Sequence, residues 1–350
     1  MEKKKVLLGI SGGVDSSVSA LILKQNGYEV CGVTLKMFED ENEENINDAK
    51  KVCDKLDISH HVYDCSKEFK ELVIDNFVSC YLDCKTPNPC IECNKNIKFG
   101  FINKVAKELE CNYIATGHYA KTEYSKKYNR WVLKKSDSLY KDQSYVLWKI
   151  PQELLSNIIF PLGSFKSKDE IRKMASDNGF EVANKPDSQD ICFIPDGDYK
   201  KFLQAYGGIK SKLGNVVKRD GSVLGKHTGL HNYTIGQRKG LGISYKAPLF
   251  VLGFDKNKNE VIVGEENELY TKELVVSDIN LLLFDKIDKW LEVDVKTRYT
   301  SKSSKAKILQ ENNTIKVIFE EPQRAITRGQ SAVFYIDDIV VGGGDRKSVM

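Results

Sequence analysis

Residues 6–17 read VLLGISGGVDSS, an apolar run that leads into two glycines, an aspartate and paired serines. The apolar run is typical of a strand buried in a parallel sheet, and residues 18–25 predict a helix that stops at Gly27. Gly12 and Gly13 let the backbone turn sharply and come close to a ligand. Because a strand, a glycine turn and a helix N-terminus present backbone N–H groups together, the stretch predicts a phosphate site.

The glycine loop differs from the commoner phosphate-binding motifs. It lacks the lysine of GxxxxGK[ST] and does not have GxGxxG spacing. It is similar to SGGxDS, the pyrophosphate loop (PP-loop) of ATP pyrophosphatases, which split ATP into AMP and pyrophosphate. An ordinary glycine-rich turn after a strand is the simpler alternative, and the complete SGGVDSS argues against it.

The first 120 residues alternate strands and helices. We predict strands at 6–10, 29–35, 60–63 and 113–116, and helices at 18–25, 46–56, 66–81 and 98–109. This order predicts a doubly wound parallel sheet, in which ligands bind beyond the carboxyl ends of the strands. Loops 9–17, 35–38 and 117–119 all follow strands, so we expect them to converge there. The acidic run at 39–48 is expected to be a solvated loop.

The sequence pattern changes after about residue 205. Segments 144–150, 152–155 and 168–179 are expected to be helical and to complete the first domain. Short runs at 216–217, 223–224, 249–254 and 261–263 predict a small mixed domain. Period-2 runs at 291–295, 306–309, 314–319 and 331–335 predict a small β-barrel, and three glycines at 342–344 close the chain. We therefore predict an α/β fold with a PP-loop domain at 1–205, a central domain at 206–268 and a C-terminal β-barrel at 269–350.

Composition narrows the class of protein. An apolar fraction of 41% and a charged fraction of 29% are typical of a soluble globular chain. No apolar run is long enough for a membrane span, and the N-terminus lacks the features of a signal peptide, so we predict a cytoplasmic protein. Stretches 208–242 and 286–307 are rich in Lys and Arg. They suggest a surface for a polyanion, although solvated lysine-rich loops explain the charge equally well.

The nine cysteines do not predict a disulfide framework, since their number is odd and the chain looks cytoplasmic. Cys192, in DSQDICFI, has apolar flanks and by itself predicts a buried structural cysteine. Six others are expected to be small apolar fillers: Cys31, Cys53, Cys65, Cys80, Cys84 and Cys111.

The segment TPNPCIECNK at 86–95 is different. Its two prolines restrict the backbone, and a helix is expected to follow, so Cys93 should lie near a helix N-terminus. The helix dipole there, together with Lys95 and Lys98, lowers a thiol pKa and predicts a reactive thiolate. Half of a zinc site is the alternative, but the sequence contains no second CxxC.

Together these segments resemble the tRNA-specific 2-thiouridylases of the MnmA family. SGGVDSS, TPNPxxxCNKxIKFG, YIATGHYA, KDQSYVLW, SxxICFI, HTGLHNYTIGQRKGLGI and GQSAVFY occur in the family's order, from Gly9 to Tyr335. Many ATP pyrophosphatases share SGGxDS, whereas GQRKGLGI and the two cysteine motifs separate this family from its relatives. The resemblance implies the same three domains that the pattern predicts.

The resemblance also implies a reaction. The family thiolates carbon 2 of the wobble uridine (U34) in tRNAs for Lys, Glu and Gln. ATP adenylates the C2 oxygen, and sulfur arrives as a cysteine persulfide, so the products are 2-thiouridine, AMP and pyrophosphate. A cysteine desulfurase or a sulfur-relay protein is expected to be the donor.

The site residues implied by the resemblance fall into three groups. Cys192 would carry the persulfide, and Cys93 would act as nucleophile or acid and form a transient disulfide with it, after a loop closes over the site. ATP, with Mg²⁺, would be bound by Gly9, Ile10, Ser11, Gly12, Gly13, Val14, Asp15, Ser16, Leu35 and Gly117. The tRNA would be contacted by Asn88, Pro89, Cys90, His118, Lys141, Asp142, Gln143, Arg298, Tyr299 and Gln330, with Tyr299 stacking on a flipped base.

One departure from the family opens an alternative. Better-known members have aspartate where this chain has Cys90. Cys90, Cys93 and Cys192 could therefore bind a [4Fe–4S] cluster whose fourth iron holds the sulfur. The cluster explains all three cysteines, whereas the persulfide route, which we prefer, leaves Cys90 as a harmless substitution.

Two further hypotheses come from other classes. A different PP-loop enzyme, of the argininosuccinate or GMP synthetase type, would adenylate a small molecule and would need neither cysteine. A non-catalytic RNA-binding module would explain the basic stretches but would leave SGGVDSS unexplained.

Overall fold

The computed structural model describes residues 4–38, 43–138, 140–186 and 191–347. Parts of two predicted segments, 39–42 of the acidic loop and 187–190 before Cys192, lie outside these ranges. The strands are β1 Lys5–Gly9, β2 Glu29–Lys36, β3 Ser59–Asp64, β4 Tyr113–Ala115, β5 Ala120–Ser125, β6 Arg130–Lys135, β7 Ile158–Ile159, β8 Gly214–Lys218, β9 Val223–His227, β10 Phe250–Asp255, β11 Glu260–Gly264, β12 Tyr270–Leu281, β13 Leu291–Lys296, β14 Ser304–Glu311, β15 Thr314–Arg324, β16 Ser331–Ile336 and β17 Ile339–Arg346. The α-helices are α1 Val14–Gln25, α2 Glu43–Lys55, α3 Ser66–Phe69, α4 Asp75–Leu82, α5 Pro89–Cys93, α6 Ile102–Glu108, α7 Lys168–Asp177 and α8 Tyr199–Ala205.

The first sheet has five parallel strands in the order β3-β2-β1-β4-β7. Val6, Leu7 and Leu8 of β1 are fully buried, and they contribute to two separate apolar clusters on opposite faces of the sheet. The strand order reverses between β1 and β4, which creates the crevice where such sheets bind ligands. The predicted doubly wound parallel sheet is confirmed.

The helix predicted at 98–109 begins earlier. It starts with α5 and continues through a π-helical segment, Asn94–Phe101, into α6. The Asn88 Oδ1 atom accepts a hydrogen bond from the Cys90 N–H (3.2 Å), and Pro89 occupies the first turn. An asparagine cap followed by proline is a strong helix start. This start places Cys93 in the second turn. In the same way α2 extends into the acidic run that we expected to be a loop.

Strands β5 and β6 form a hairpin that the sequence pattern did not predict. The two strands pair antiparallel from Ala120↔Lys135 to Ser125↔Arg130, and β6 also pairs with β17 at Lys134↔Ile339. The hairpin therefore belongs in sequence to the first 205 residues but extends the sheet of the C-terminal barrel. Strand β5 is mostly polar and half-exposed, and the apolar residues of β6 at 131–133 are consecutive, so neither strand has the alternation that would identify it.

The second half contains two further sheets. Strands β10-β11-β8-β9 form a small mixed sheet, and β12-β15-β14-β13-β16-β17 close into a six-stranded barrel because β12 also pairs with β17. Both agree with the predicted fold class. The three glycines at 342–344 lie inside β17 rather than at a chain end. A Cβ on Gly343 would come within 2.8 Å of the Trp148 ring, so the missing side chain lets the barrel pack against the first domain.

None of the helices in the described ranges is both long enough and apolar enough to cross a membrane.

Candidate active site

The PP-loop joins β1 to α1 through a turn that needs glycine. Gly12 has φ +68°, and a Cβ there would collide with the Asn45 carbonyl oxygen. Gly13 is the N-cap of α1 and provides no side-chain acceptor, so the first N–H groups of the helix are open to an anion. The Ser16 and Ser17 hydroxyls donate to the Gly13 carbonyl oxygen (3.1 and 2.9 Å), which holds the turn in shape.

Three loops meet at the carboxyl edge of the first sheet. They line one cavity, which confirms the expected convergence. Gly117 approaches the PP-loop so closely that a Cβ would lie 3.0 Å from the Ser16 nitrogen. Of the residues expected to bind ATP, Gly9, Ile10, Ser11, Asp15, Ser16, Leu35 and Gly117 line this cavity, while Gly12, Gly13 and Val14 form the turn beside it.

Two lysines that the sequence reasoning missed surround the PP-loop. The Lys168 Nζ atom forms an ion pair with Asp15 Oδ2 (2.8 Å), while Asp15 Oδ1 accepts from the Tyr119 hydroxyl (2.7 Å). Lys185 pairs with Asp48 (2.8 Å) and donates to the Asn45 side chain (2.8 Å). No local signal identifies either lysine, because each is more than a hundred residues from its partner in the sequence.

Three residues expected to contact tRNA form hydrogen bonds within the protein, and one of them, His118, is buried. His118 is buried in the lining of the PP-loop cavity and shares a 2.8 Å hydrogen bond with Thr116. Burial, and then Lys98, hold the His118 pKa well below its ordinary value, so the ring is neutral. Asp142 accepts from the Ser136 and Ser144 N–H groups. Gln143 bonds the Tyr119 backbone and lines the cavity.

Cys93 is not the thiolate that its sequence position predicts. Its side chain is buried, and burial raises its thiol pKa to about 12, with Lys98 acting in the opposite direction. The prediction of a lowered pKa was wrong because the helix starts at Pro89 and carries Cys93 past the N-terminal turn into the core. Desolvation then outweighs the helix dipole and the nearby lysine.

Cys192 also departs from its prediction, since it is exposed rather than buried. The buried side chains of Phe193 and Ile194 anchor it to the core. Desolvation of its thiol is the main cause that raises its pKa, and the charge of Cys90 is the second. Cys90 raises the pKa of both Cys93 and Cys192, and Cys192 raises that of Cys93, so the fold brings Cys192 within electrostatic reach of the CxxC segment although it is distant in the sequence. All nine cysteines are free thiols.

The three cysteines do not form a metal centre. Among the described residues, which include all three, no group of three or more His, Cys, Asp or Glu side chains converges as metal ligands. The residues present therefore do not fit the [4Fe–4S] alternative or a zinc site.

Two cysteines expected to be plain fillers interact. The Cys31 and Cys111 thiols act on each other's protonation, which lowers the pKa of Cys31 and raises that of Cys111. The expectation of no special setting was wrong for this pair, because the fold brings the two thiols near each other. Cys53 fits the filler role, since burial raises its pKa to about 12.

The barrel holds the CxxC segment from the other side. The Thr86 N–H donates to the Arg328 carbonyl (2.8 Å), and Gln330 Nε2 donates to the Thr86 carbonyl (2.8 Å). The Arg298 guanidinium donates to Thr327 Oγ1 (2.7 Å) within the barrel. Tyr299 is 38% exposed, and its pKa is raised by burial first and then by Asp142 and Cys90. Tyr299 thus lies within electrostatic reach of Cys90.

A buried lysine ties this segment to the barrel. Lys149 is 5% exposed, and its Nζ atom lies 2.7 Å from Glu92, 2.7 Å from Asp278 and 2.6 Å from Asp345. Burial alone would lower its pKa, but the surrounding carboxylates, Asp345 first, raise it overall. Glu92 lies between Cys90 and Cys93 in α5, whereas the two aspartates belong to β12 and β17. The cluster therefore fixes the helix that carries both cysteines.

Comparison with known proteins agrees with this architecture. Three family models match the chain: a tRNA methyl transferase HUP domain over 4–196, a tRNA methyl transferase PRC-barrel domain over 200–265 and an aminomethyltransferase beta-barrel domain over 271–345. The tRNA-specific 2-thiouridylase MnmA of Caldicellulosiruptor saccharolyticus is 49% identical, over 98% of each chain. That of Clostridium beijerinckii is 46% identical, over 99% of this chain and 100% of the relative.

The chain belongs to the tRNA-specific 2-thiouridylase family. The prediction of an enzyme of the sulfurtransferase class is thereby confirmed. Among solved structures, a 4-thiouridine synthetase–RNA complex with bound ATP is 19% identical, with a TM-score of 0.36 over 57% of this chain and 50% of that one.

Proposed function

We propose that this 2-thiouridylase family member uses ATP to replace the C2 oxygen of the wobble uridine of tRNA with sulfur. The observation that carries the proposal is the position of Lys98. Lys98 lines the PP-loop cavity. It also lowers the pKa values of both Cys93 and Cys192, although desolvation, which raises them, has the larger effect. The nucleotide site and the two thiols are therefore parts of one cleft.

The first step would be adenylation. The open N–H groups at the start of α1 receive the phosphates, with Lys168 and Lys98 adding positive charge. The uridine C2 oxygen attacks the α-phosphorus of ATP and pyrophosphate leaves. Leu35 and Gly117 frame the adenosine. Asp15 would hold Mg²⁺, which would neutralise phosphate charge when bound.

The second step would deliver sulfur. Cys192 is exposed, so a donor protein can load it as a persulfide. The terminal sulfur attacks C2 and AMP leaves. The Cys93 sulfur then loses its proton and attacks the Cys192 sulfur, so the S–S bond to the base breaks, thiouridine departs and a Cys93–Cys192 disulfide forms. A dithiol reductant restores both thiols. A cysteine desulfurase or a relay protein would be the donor.

Recognition of tRNA would divide between two faces of the cleft. Cys90 and Tyr299 are exposed members of the predicted set that lie within electrostatic reach of each other, so we place the target base next to both, with Asn88 and Pro89 beside it and Lys141 outside. The other predicted contacts act mainly by holding the loops in place. We assign ATP chemistry to residues 1–205 and RNA contacts also to 206–268 and 269–350, with tRNAs for Lys, Glu and Gln as the substrates.

The test is mass spectrometry of tRNA after incubation with the protein, ATP, Mg²⁺ and a sulfur donor. We expect 2-thiouridine at the wobble position and one pyrophosphate for each base modified. Its absence, with folded protein that binds tRNA, would refute the proposal. Pyrophosphate release that needs no tRNA and survives Cys93→Ser and Cys192→Ser would instead favour a small-molecule PP-loop enzyme. Tight tRNA binding without pyrophosphate release would favour a binding module.

A further inference from the structure

A second cavity lies between the central sheet and the C-terminal barrel, away from the PP-loop. It has a volume of about 380 Å³. Leu252 and Phe254 of β10 form one wall, and Tyr270 of β12 and Ile326 form the other. Tyr270 is 46% exposed, so the cavity reaches the surface. Neither the predicted ATP site nor the cysteines contribute to it.

The polar lining of this cavity is strongly basic. It includes Arg219, Arg328 and Arg346, and Glu268, the one carboxylate that the described residues contribute to the lining, already pairs with Arg219 at 3.3 Å. The Nε and Nη1 atoms of Arg346 are buried, and no described residue supplies a hydrogen-bond partner for either. A buried cation is stable only when an anion or several acceptors compensate it.

The electrostatic environment of Arg346 also favours binding of an anion. Burial, followed by repulsion from Arg328, lowers its pKa to about 10. The guanidinium groups of Arg346 and Arg328 thus belong to the lining of one cavity, and a guanidinium presents the planar fork that fits phosphate oxygens.

We propose that this cavity binds a phosphate group between Arg346 and Arg328, with Arg219 at its mouth. Two sources share this chemistry: a backbone phosphate of bound RNA, and free phosphate or pyrophosphate. The Arg328 carbonyl accepts from the Thr86 N–H next to the CxxC segment, so the cavity adjoins the cleft where we place the tRNA. The RNA source rests on the proposed function, whereas phosphate binding itself does not.

The experiment measures thermal unfolding of the full chain in rising inorganic phosphate, against chloride at equal ionic strength. Phosphate should raise the Tm of the unmodified protein by mass action. Arg346→Gln should weaken phosphate binding at least tenfold, and Arg219→Gln, at an exposed position that does not threaten folding, should weaken it less. Arg324→Gln is the matched control, because Arg324 pairs with Glu266 outside the cavity (3.2 Å). Equal phosphate responses in the unmodified protein, Arg346→Gln and Arg219→Gln would overturn the site.

The salt dependence of tRNA binding separates the two sources. If an RNA phosphate occupies the site, Arg346→Gln should reduce the slope of log K against log salt by about 1 relative to Arg324→Gln. An unchanged slope together with a lost phosphate response identifies free phosphate or pyrophosphate as the ligand. A phosphate response in a protein that forms no 2-thiouridine would overturn the proposed function and leave this site standing.

Discussion

At the scale of single residues, burial decides what the two central thiols can do. Cys93 is buried and its pKa is raised, whereas Cys192 is exposed on the same cleft. An exposed thiol is accessible to a donor protein. A buried neutral thiol is protected from the donor until the later step in which it reacts. The two positions therefore suit the persulfide carrier and the resolving thiol respectively.

Single serine substitutions should separate these two roles. Cys192→Ser and Cys93→Ser should each lower thiolation on the order of 10³-fold or more. Only Cys192→Ser should abolish the persulfide that mass spectrometry detects after incubation with a donor, because Cys93→Ser leaves the carrier intact. Cys80→Ser serves as control, since Cys80 has no part in the cleft. Persulfide found on Cys93 in the unmodified protein would reverse the assignment.

Cys90 permits a separate test of the cluster alternative. Because the described residues do not form a metal-binding group, Cys90→Ala should keep most of the activity, and anaerobically purified protein should contain no stoichiometric iron or acid-labile sulfide. Iron that disappears in Cys90→Ala together with activity would contradict this expectation.

The raised pKa of Cys93 predicts how the rate of its alkylation depends on pH. A thiol reacts with iodoacetamide as the thiolate, and below its pKa the thiolate fraction falls tenfold for each pH unit. With a pKa of about 12, Cys93 should stay unmodified at pH 7 and its alkylation should still be rising at pH 10, as followed by peptide mass spectrometry. Denatured protein provides the reference for an unburied thiol. Rapid alkylation of Cys93 in the folded protein at pH 7 would show that the thiol is not desolvated.

At the scale of secondary structure elements, the cavity for ATP depends on how closely loops approach one another. The turn after β4 lies against the first residues of α1, and Gly117 is the residue at the contact. A side chain at this position would push the PP-loop away from the nucleotide, although neither element would unfold.

Gly117→Ala should therefore raise the KM for ATP about tenfold or more while changing stability little, since a shift of the catalytic loop by a fraction of an ångström is enough to misplace phosphates. The measurement is pyrophosphate release at varied ATP. Gly253→Ala is the control, because a Cβ at Gly253 meets nothing within 4 Å. Equal KM values for the two variants would show that the loops adjust freely.

The elements also show why pattern analysis succeeded in some places and failed in others. β1 and the barrel strand β15 were predicted because their apolar residues follow the period of a buried strand. The hairpin of β5 and β6 was missed because it lies at the edge of a sheet, where polar residues are common. The start of α5 was missed because a short capped turn has no apolar period to reveal it.

At the scale of the whole molecule, the first domain and the barrel form one unit around Lys149. This residue lies 129 positions before Asp278 and 196 before Asp345 in the sequence, yet it contacts both and Glu92. The geometry of the CxxC helix therefore depends on the barrel.

Lys149→Met should destabilise the protein by about 2 kcal/mol, because it removes the buried cation that neutralises three carboxylates, although Asp278 stays largely exposed to solvent. Urea unfolding is the measurement. Lys51→Met, which breaks the exposed pair with Glu181, should cost less than about 1 kcal/mol. Thiolation by folded Lys149→Met should fall in kcat, since the cysteine helix loses its anchor. Similar stabilities for the two variants would mean that the cluster contributes no more than a surface pair.

Local sequence is sufficient to identify the parallel sheet, the PP-loop and the barrel, and the family resemblance of its motifs is the source of the prediction for Cys93 and Cys192. Strand periodicity, glycine turns and short motifs are properties of neighbouring residues, and they persist whatever the rest of the chain does. The protonation of Cys93, the ion pairs of Lys168 and Lys149, the Cys31–Cys111 contact and the basic cavity at Arg346 required the folded chain. Each of these depends on burial and on charges contributed by distant residues, because desolvation and Coulomb interactions are set by neighbours in space.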